Sequence, residues 1–158
     1  MLTIRKTDAR FRDWSELLGL LQRSYAFMDE RIDPPSSLHS FDAVNLEEKS
    51  KDEILYLAHD SAKLVGCIFG KVNQSSLYVG KLAVDPDYQG QGIGRVLMRE
   101  LENQARSMEL SEMTLEVRIE LTENQKAFAA MGFEISKEGS HDGYAKVTFL
   151  EMKKQLGA

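Results

Sequence analysis

Residues 89–95 read QGQGIGR, so Gly90, Gly92 and Gly94 alternate with other residues. Residues 93–108 follow with apolar side chains at helical spacing, which predicts that the turn opens an amphipathic helix. The first turn of a helix has N–H groups without intrahelical partners and carries partial positive charge. Because glycine has no Cβ, the backbone can approach a bulky anion closely. The spacing therefore indicates a pyrophosphate cradle, although a glycine turn that is merely solvated would contain the same residues.

Two better-known glycine motifs do not match this turn. A P-loop ends in Gly-Lys-Ser/Thr, whereas this turn ends in Gly94-Arg95-Val96. The dinucleotide motif G-x-G-x-x-G requires a wider final spacing, and here residue 95 is an arginine. The turn is therefore of a different kind from both.

A strand is predicted immediately before the turn. Residues 77–84 are mostly apolar or β-branched, and the run stops at Asp85-Pro86, where proline cannot continue a strand ladder. Across residues 82–97 the pattern L-x-V-x-P-x-x-Q-G-x-G-x-G-x-x-L closely resembles motif A of the GCN5-related N-acetyltransferase (GNAT) family. Gln89, Gly92 and Gly94 meet that family's Arg/Gln-x-x-Gly-x-Gly/Ala pattern. The order of strand, turn and helix agrees as well.

The resemblance implies an α/β (α+β) fold of the GNAT type over a single domain, residues 1–158. Such a fold has a central mixed, mostly antiparallel sheet of six to seven strands, flanked by about four helices and splayed at the co-substrate site. The implied co-substrate is acetyl-CoA, with its pyrophosphate on residues 89–95 and its pantetheine beside residues 82–84. The binding residues implied are Leu82, Ala83, Val84, Gln89, Gly90, Gln91, Gly92, Ile93, Gly94, Arg95, Asn124 and Phe128.

Residues 121–133 resemble the family's motif B, a helix that ends in a Gly-Phe pair. Asn124 is placed either to bond pantetheine or to serve only as a polar residue at the helix start. Many family members carry a tyrosine four residues before the terminal glycine, where it can protonate the leaving thiolate; this chain has Phe128. Either another donor serves, or water does, or catalysis relies on positioning, which can supply much of the barrier reduction.

Two polar segments are candidates for the acceptor site. Residues 29–38 are charged and contain two prolines; they form either a solvated connector or one wall of the acceptor cleft, as in the family. Residues 138–144 form a loop that either is an ordinary exposed hairpin or positions substrate and moves protons. The candidate substrate residues are Glu30, Arg31, Asp33, His141 and Tyr144.

The mechanism that the resemblance implies is direct transfer from acetyl-CoA to an amine, without a covalent enzyme intermediate. A carboxylate, Glu30 or Glu116, or a water chain would remove the proton of the amine, and Tyr144 is the third catalytic candidate. Backbone N–H groups of the central strand would stabilise the oxyanion. Acceptors of several kinds fit: small amines, amino acids, aminoglycosides, polyamines and protein termini.

Other periodic segments complete the predicted architecture. They are an edge strand at 2–5, helices at 13–28 and 41–50, antiparallel strands at 54–59 and 63–72, a strand at 113–118 and two strands at 133–137 and 145–152. Asp13, Ser40 and Thr122 are the expected N-caps, and Gly132 is the expected residue after a helix C-cap.

Lys81 interrupts the apolar alternation of the central strand. Period-two spacing places it on one face with Leu77, Val79 and Ala83. Its ammonium group either reaches the strand edge or lines the acceptor cleft, where it would favour an acidic group on the substrate.

Composition limits the remaining classes. No apolar run approaches the ~20 residues of a membrane span, and the N-terminus lacks an apolar signal-peptide core, so we expect a cytoplasmic protein without a membrane partner. The net charge of -5 argues against nucleic-acid binding and favours a cationic substrate. With three histidines and one cysteine, Cys67, neither a metal site nor an internal disulfide is expected; Cys67 is predicted to be a packed core residue.

Two competing functions use the same turn. Phe128 favours a non-catalytic domain that binds or senses acyl-CoA, or mediates an interaction, and retains only the cradle. A binder of a nucleotide other than CoA is the third interpretation, which competition between acetyl-CoA and ATP would separate. Exposed sheet edges would also allow a homodimer.

Overall fold

A seven-stranded sheet forms the centre of the computed structural model, which describes residues 1–157 apart from the side chains of Phe27, Leu38 and His39. Its strands are β1 (Leu2–Lys6), β2 (Ile54–Asp60), β3 (Lys63–Asn73), β4 (Ser76–Val84), β5 (Glu112–Arg118), β6 (Glu134–Gly139) and β7 (Phe149–Gln155). Their spatial order is β1-β2-β3-β4-β5-β7-β6. All neighbours are antiparallel except β4 and β5, which are parallel. The predicted mixed, mostly antiparallel sheet is confirmed.

Four α-helices flank the sheet within the described residues. They are α1 (Trp14–Asp29), α2 (Ala43–Lys49), α3 (Ile93–Ser107) and α4 (Thr122–Ala130). Helices α1 and α2 share one apolar cluster with β2, β3 and β4, whereas α3 and α4 pack into the cluster on the opposite face. None of the described helices is long and apolar enough to cross a membrane.

Two helix N-caps differ from the expected residues, and a third lacks its side-chain hydrogen bond. Asp13 does precede α1, but its side chain makes no capping hydrogen bond. Helix α2 is capped by Asp42 rather than by Ser40, because Asp42 and Asn45 form a reciprocal capping box. In α4, Thr122 is already helical and Leu121 holds the N-cap position. The two changed caps lie one or two residues from their expected positions.

Helix α3 lies close against β3 because two glycines of that strand leave room for it. A Cβ at Gly66 would lie 3.1 Å from side-chain atoms of Ile93 and Leu97, and one at Gly70 would lie 2.8 Å from Leu101. All three α3 residues are buried. The close packing holds the first turn of α3 against the centre of the sheet.

A bulge in β4 changes which face its residues occupy. The register shifts between the pairs Gly70–Val79 and Ile68–Leu82, so Gly80 and Lys81 lie together opposite one residue of β3. Leu77 and Val79 face the α3 side, but Lys81 Nζ lies 5.1 Å from the Phe69 ring centroid on the α1 side. Grouping Lys81 with Leu77 and Val79 was wrong, because simple alternation does not survive a bulge.

The sheet splays between β4 and β5. The two strands pair only from Ser76–Glu112 to Tyr78–Thr114, and beyond these pairs their described parts diverge. This is the splay that the family resemblance implied, and it creates a gap beside the second half of β4.

The C-terminal strands also differ in their bounds. The strand predicted at 145–152 begins only at Phe149 and continues to Gln155, and residues 140–148 form a loop. Gly132 has φ of 101° and follows the C-cap of α4, as expected. Strand β7 lies between β5 and β6, so the last strand in sequence is not at the sheet edge.

Candidate active site

A cleft runs along the gap between β4 and β5 in two adjoining parts. The turn half, about 320 Å³, is bordered by the glycine turn, and the loop half, about 390 Å³, is bordered by β5 and the β6–β7 loop. Six residues line both halves, and we call them the junction: Tyr25, Met28, Leu82, Leu121, Asn124 and Phe128. Helices α1 and α4 thus meet the central strand where the two halves join.

The turn half fits a pyrophosphate group. Gly90 and Gly92 have φ of 81° and 82°, and a Cβ at either position would meet nothing within 4 Å, so both face open space. Helix α3 begins at Ile93, and its first-turn N–H groups have no intrahelical acceptor. Asp85, 3% exposed, accepts from the Asp87 N–H and from Arg23 Nη2 and holds the preceding turn in place.

Most of the residues expected to hold acetyl-CoA line the turn half. These are Leu82, Val84, Gln89, Gly90, Gly92, Ile93, Gly94, Asn124 and Phe128. Three do not: Ala83 is buried in the core on the α1 side, and the side chains of Gln91 and Arg95 are exposed outside the cleft. The structure therefore brings nine of the twelve together around one space.

The junction combines apolar packing with two polar groups. The Tyr25 hydroxyl donates to the Leu82 carbonyl at 2.8 Å, and burial raises the pKa of Tyr25, so the phenol stays protonated. The Asn124 side-chain nitrogen lies 3.9 Å from the Met28 sulfur. Phe128 packs edge-on against Phe133, with ring centroids 6.2 Å apart. The position of the family's usual tyrosine is thus filled by an apolar ring.

The loop half carries charges of both signs. Lys81 and Arg118 line it together with Glu116, which is exposed and lies opposite Glu151 in the β5–β7 register. The guanidinium group of Arg118 donates to the carbonyl of Pro34 at 2.6 Å. A site of this kind can accept a polar, charged substrate.

Tyr78 adds a hydroxyl to the loop half. Burial, together with the nearby carboxylates of Glu116, Glu53 and Glu151, raises the pKa of Tyr78 to about 12. The phenol is therefore neutral at physiological pH and can donate a hydrogen bond.

The two polar segments predicted from the sequence meet at the rim of the loop half. The Tyr144 hydroxyl donates to the Asp33 carboxylate, and this hydrogen bond raises the pKa of Tyr144. The Asp33 N–H donates to Glu120 Oε2 at 3.2 Å. His141 lines the loop half, and its Nδ1 shares a hydrogen with the Thr148 hydroxyl. Contacts between distant parts of the chain thus define this rim.

Some of the proposed catalytic and substrate residues line the cleft, and others do not. Glu116 and His141 line the loop half, and Arg31 lines the turn half, where it pairs with Glu123 at 3.8 Å. The lining of the cleft does not include the described side chains of Glu30, Asp33 and Tyr144. Glu30 is the exposed C-cap residue of α1.

Sequence reasoning missed several lining residues, above all Tyr25, Met28, Tyr78 and Arg118. Tyr25 fits the apolar spacing of the helix predicted at 13–28, so its pattern indicates only core packing. Its hydroxyl was the indication available in the sequence, because a buried phenol requires a hydrogen-bond partner.

Comparisons with known proteins identify the family and show the same fold. The model of the Acetyltransferase (GNAT) family matches residues 14–133. No curated protein matches the chain significantly. Among solved structures, the ribosomal-protein-S18-alanine N-acetyltransferase from Escherichia coli is similar with a TM-score of 0.77 and 21% identity, covering 100% of this chain and 96% of that chain.

Two similar structures contain the expected co-substrate or its product. The PaiA N-acetyltransferase from Thermoplasma acidophilum, in complex with coenzyme A, has a TM-score of 0.80 and 20% identity, with 98% and 99% of the two chains covered. A GNAT family acetyltransferase from Elizabethkingia anophelis, with acetyl-CoA bound, has a TM-score of 0.71 and 17% identity, with 98% and 97% covered. With the family match spanning most of its length, the chain belongs to the GNAT family and is an acetyl-CoA-dependent N-acyltransferase.

Proposed function

We propose that the protein transfers the acetyl group of acetyl-CoA directly to the amine of a small molecule or peptide. One observation carries this proposal: a cradle suited to pyrophosphate and a polar, charged recess are two halves of one cleft and share the junction residues. Acetyl-CoA would enter from the turn half and the amine from the loop half. The reacting atoms would then meet at the junction, which supplies proximity and orientation.

Residues around the junction would assist each part of the reaction. Glu116 is the carboxylate favoured to remove the proton of the amine, directly or through water, because it lines the loop half whereas Glu30 does not. Backbone N–H groups at the β4 bulge would stabilise the oxyanion. Asn124 would orient the pantetheine arm, and Phe128 would pack beside it.

The rim would select the acceptor. Asp33 and Tyr144 are linked to each other, so they would shape the entrance, while His141 and Lys81 would contact the substrate inside the loop half. The mixture of acidic and basic side chains suits an amine that carries a further polar or charged group. A cytoplasmic location, a homodimer and the lack of nucleic-acid or membrane partners stay predictions from the sequence.

Calorimetric titration of acetyl-CoA tests the cradle. Wild type should bind, and Gly92→Glu should not, since its carboxylate would occupy the open space and repel a pyrophosphate. Gly157→Glu is a matched control: Gly157 also has positive φ, 75°, with nothing within 4 Å of a Cβ, and it does not line the cleft. Equal binding by wild type and Gly92→Glu would contradict the cradle.

Free-thiol release with a panel of amines tests turnover. The panel should include alanine-initiated peptides, polyamines and amino acids. Accelerated thiol release with one class, accompanied by the acetylated product in mass spectrometry, would support the proposal. A protein that binds acetyl-CoA but acetylates no amine would instead favour the non-catalytic acyl-CoA-binding function.

A further inference from the structure

The junction contains one phenol, on α1 rather than on α4. Of the six junction residues, Met28, Leu82, Leu121 and Phe128 have no side-chain N–H or O–H. The carboxamide of Asn124 donates hydrogen bonds but does not release a proton at ordinary pH. Among the described side chains at the junction, Tyr25 therefore holds the only hydroxyl proton.

The other hydroxyl groups in or near the cleft, within the described residues, lie to either side of the junction. Ser24 lines only the turn half, and Ser36 and Ser37 line only the loop half. Tyr88 lines only the turn half, and its hydroxyl donates to Asp60. Tyr78 lines only the loop half. Tyr144 donates to Asp33 at the rim. Among the described hydroxyl groups, only that of Tyr25 lies at the junction, where the N–C bond would form and the C–S bond of acetyl-CoA would break.

The Tyr25 hydroxyl is also held against the strand edge at the gap. It donates to the Leu82 carbonyl at 2.8 Å, and Leu82 lies beyond the last pair of β4 with β5. A hydroxyl hydrogen rotates about the C–O bond, so it can turn from this carbonyl to another acceptor without movement of the ring. The contact thus fixes the position of the phenol oxygen but leaves its hydrogen free to turn toward another acceptor.

We propose that Tyr25 is the general acid of the acetyl transfer, in the role that Phe128 cannot fill. The N–C bond forms as the amine attacks, and the C–S bond then breaks with its electron pair left on sulfur. The Tyr25 O–H proton passes to that sulfur as solvent returns a proton to the phenol oxygen, so that no free tyrosinate accumulates. The proton lost by the amine leaves through its base. This assignment rests on the proposed function.

Tyr25→Phe tests the assignment because it removes the hydroxyl and keeps the ring. We expect kcat to fall by about 10²-fold or more, with the Kd of acetyl-CoA unchanged within about twofold. Tyr56→Phe is the matched control: it removes a hydroxyl that bonds Gln104 and lines neither half of the cleft. Its kcat should equal that of wild type.

A second substitution separates proton donation from packing. Phe128→Tyr in the Tyr25→Phe background places a phenol on the opposite wall of the junction, and we expect it to restore kcat by at least about tenfold. A kcat of Tyr25→Phe within about twofold of wild type would overturn the proposal. So would a loss of kcat that Phe128→Tyr leaves unrepaired, or a loss that accompanies loss of acetyl-CoA binding, since both indicate a structural role.

The two proposals fail in different ways. If wild type neither binds acetyl-CoA nor releases thiol, the proposed function itself fails. If wild type is active but Tyr25→Phe keeps its kcat, loses acetyl-CoA binding, or is not restored by Phe128→Tyr, only the role of Tyr25 fails.

Discussion

Cys67 lies in the middle of β3 with no exposed surface, 0%. Burial raises the pKa of its thiol to about 12, so only about 10⁻⁴ of it would be ionised at pH 8. We expect no reaction with an aromatic disulfide reagent at pH 8 while the protein is folded, and one thiol per chain in urea. Fast labelling of the folded protein would contradict the burial.

This inertness has a practical use at the residue scale. The free-thiol assay for CoA release requires a protein whose own thiol does not react with the reagent. With Cys67 buried, thiol that appears during turnover belongs to CoA, and any slow background reports opening of the core.

Single residues were predictable where local chemistry decides their role. Gly92 is identifiable from the alternating glycines and from the lack of a Cβ beside a bulky anion, and the structure adds that its φ is 82°, a left-handed conformation that favours glycine. Tyr25 is not identifiable in this way, because its role depends on a strand 57 residues away. Ser40 is not the cap because Asp42, two residues on, meets the same local rule. Thr122 is not the cap because α4 already begins at Thr122, which leaves Leu121 at the N-cap position without a side-chain hydrogen bond.

At the scale of elements, Glu102 on α3 links this helix to β7 through a hydrogen-bonded ion pair with Lys154. Its carboxylate accepts from Lys154 Nζ at 2.6 Å and from Arg106 at 3.0 Å. Burial alone would raise the pKa of Glu102, but the hydrogen bonds from Lys154 and Arg106 outweigh it and lower the pKa below its usual 4.5. The ionised form is thus favoured by folding.

The sign of the pH effect follows from that direction. A lowered folded pKa contributes stability that is present above the unfolded value, about 4.5, and is lost as the pH falls through the folded pKa. Glu102→Gln should reduce the free energy of unfolding by about 1.5 kcal/mol at pH 7 and by less at pH 3. Urea unfolding at both values measures this difference.

Glu134→Gln is the control for this prediction. Glu134 is exposed on β6, so its substitution should change stability by less than about 0.5 kcal/mol at either pH. An equal loss for Glu102→Gln at pH 7 and pH 3 would contradict the ionic contribution of Glu102.

Elements were predictable where periodicity is regular. The helix at 93–108 and the strand at 77–84 appear within a residue of their expected bounds, because each has a continuous apolar pattern. The bulge at Gly80 and Lys81 was not predictable, since the pairing partner on β3 creates it. Residues 145–148 read as strand, but the structure places them in the loop before β7.

At the scale of the whole molecule, acetyl-CoA in the cleft would contact α1, β4, α3 and α4 at once, so its binding should stabilise the folded protein. A ligand at 100 times its Kd adds about 2.7 kcal/mol to the free energy of unfolding. For a chain of this size that raises Tm by about 5–11 °C. Differential scanning calorimetry with acetyl-CoA measures the shift, and Gly92→Glu should show none.

ATP provides the control at this scale. It carries phosphates and an adenine but no pantetheine arm, so it should raise Tm far less than acetyl-CoA at equal concentration. A larger shift with ATP would favour the interpretation that the turn binds a nucleotide other than CoA.

The overall topology could be predicted only through the family resemblance. Local patterns indicate seven strands, but they do not show that β7 lies between β5 and β6 or that β4 and β5 are parallel for only three pairs. Both features depend on contacts between distant segments, as does the meeting of Asp33 with Tyr144. The acceptor rim therefore emerged only from the structure.

The splay between β4 and β5 has a consequence for how the protein behaves in a crowded solution. Strand edges with unpaired backbone groups are templates on which foreign chains add and aggregates grow. Here the edges that diverge after Tyr78 and Thr114 lie inside the molecule, overlain by Tyr25 and Met28 from one side and by Asn124 and Phe128 from the other. Side chains of α1 and α4 therefore cover the gap that would admit the thioester arm, and we expect them to keep a foreign strand from adding at this internal edge.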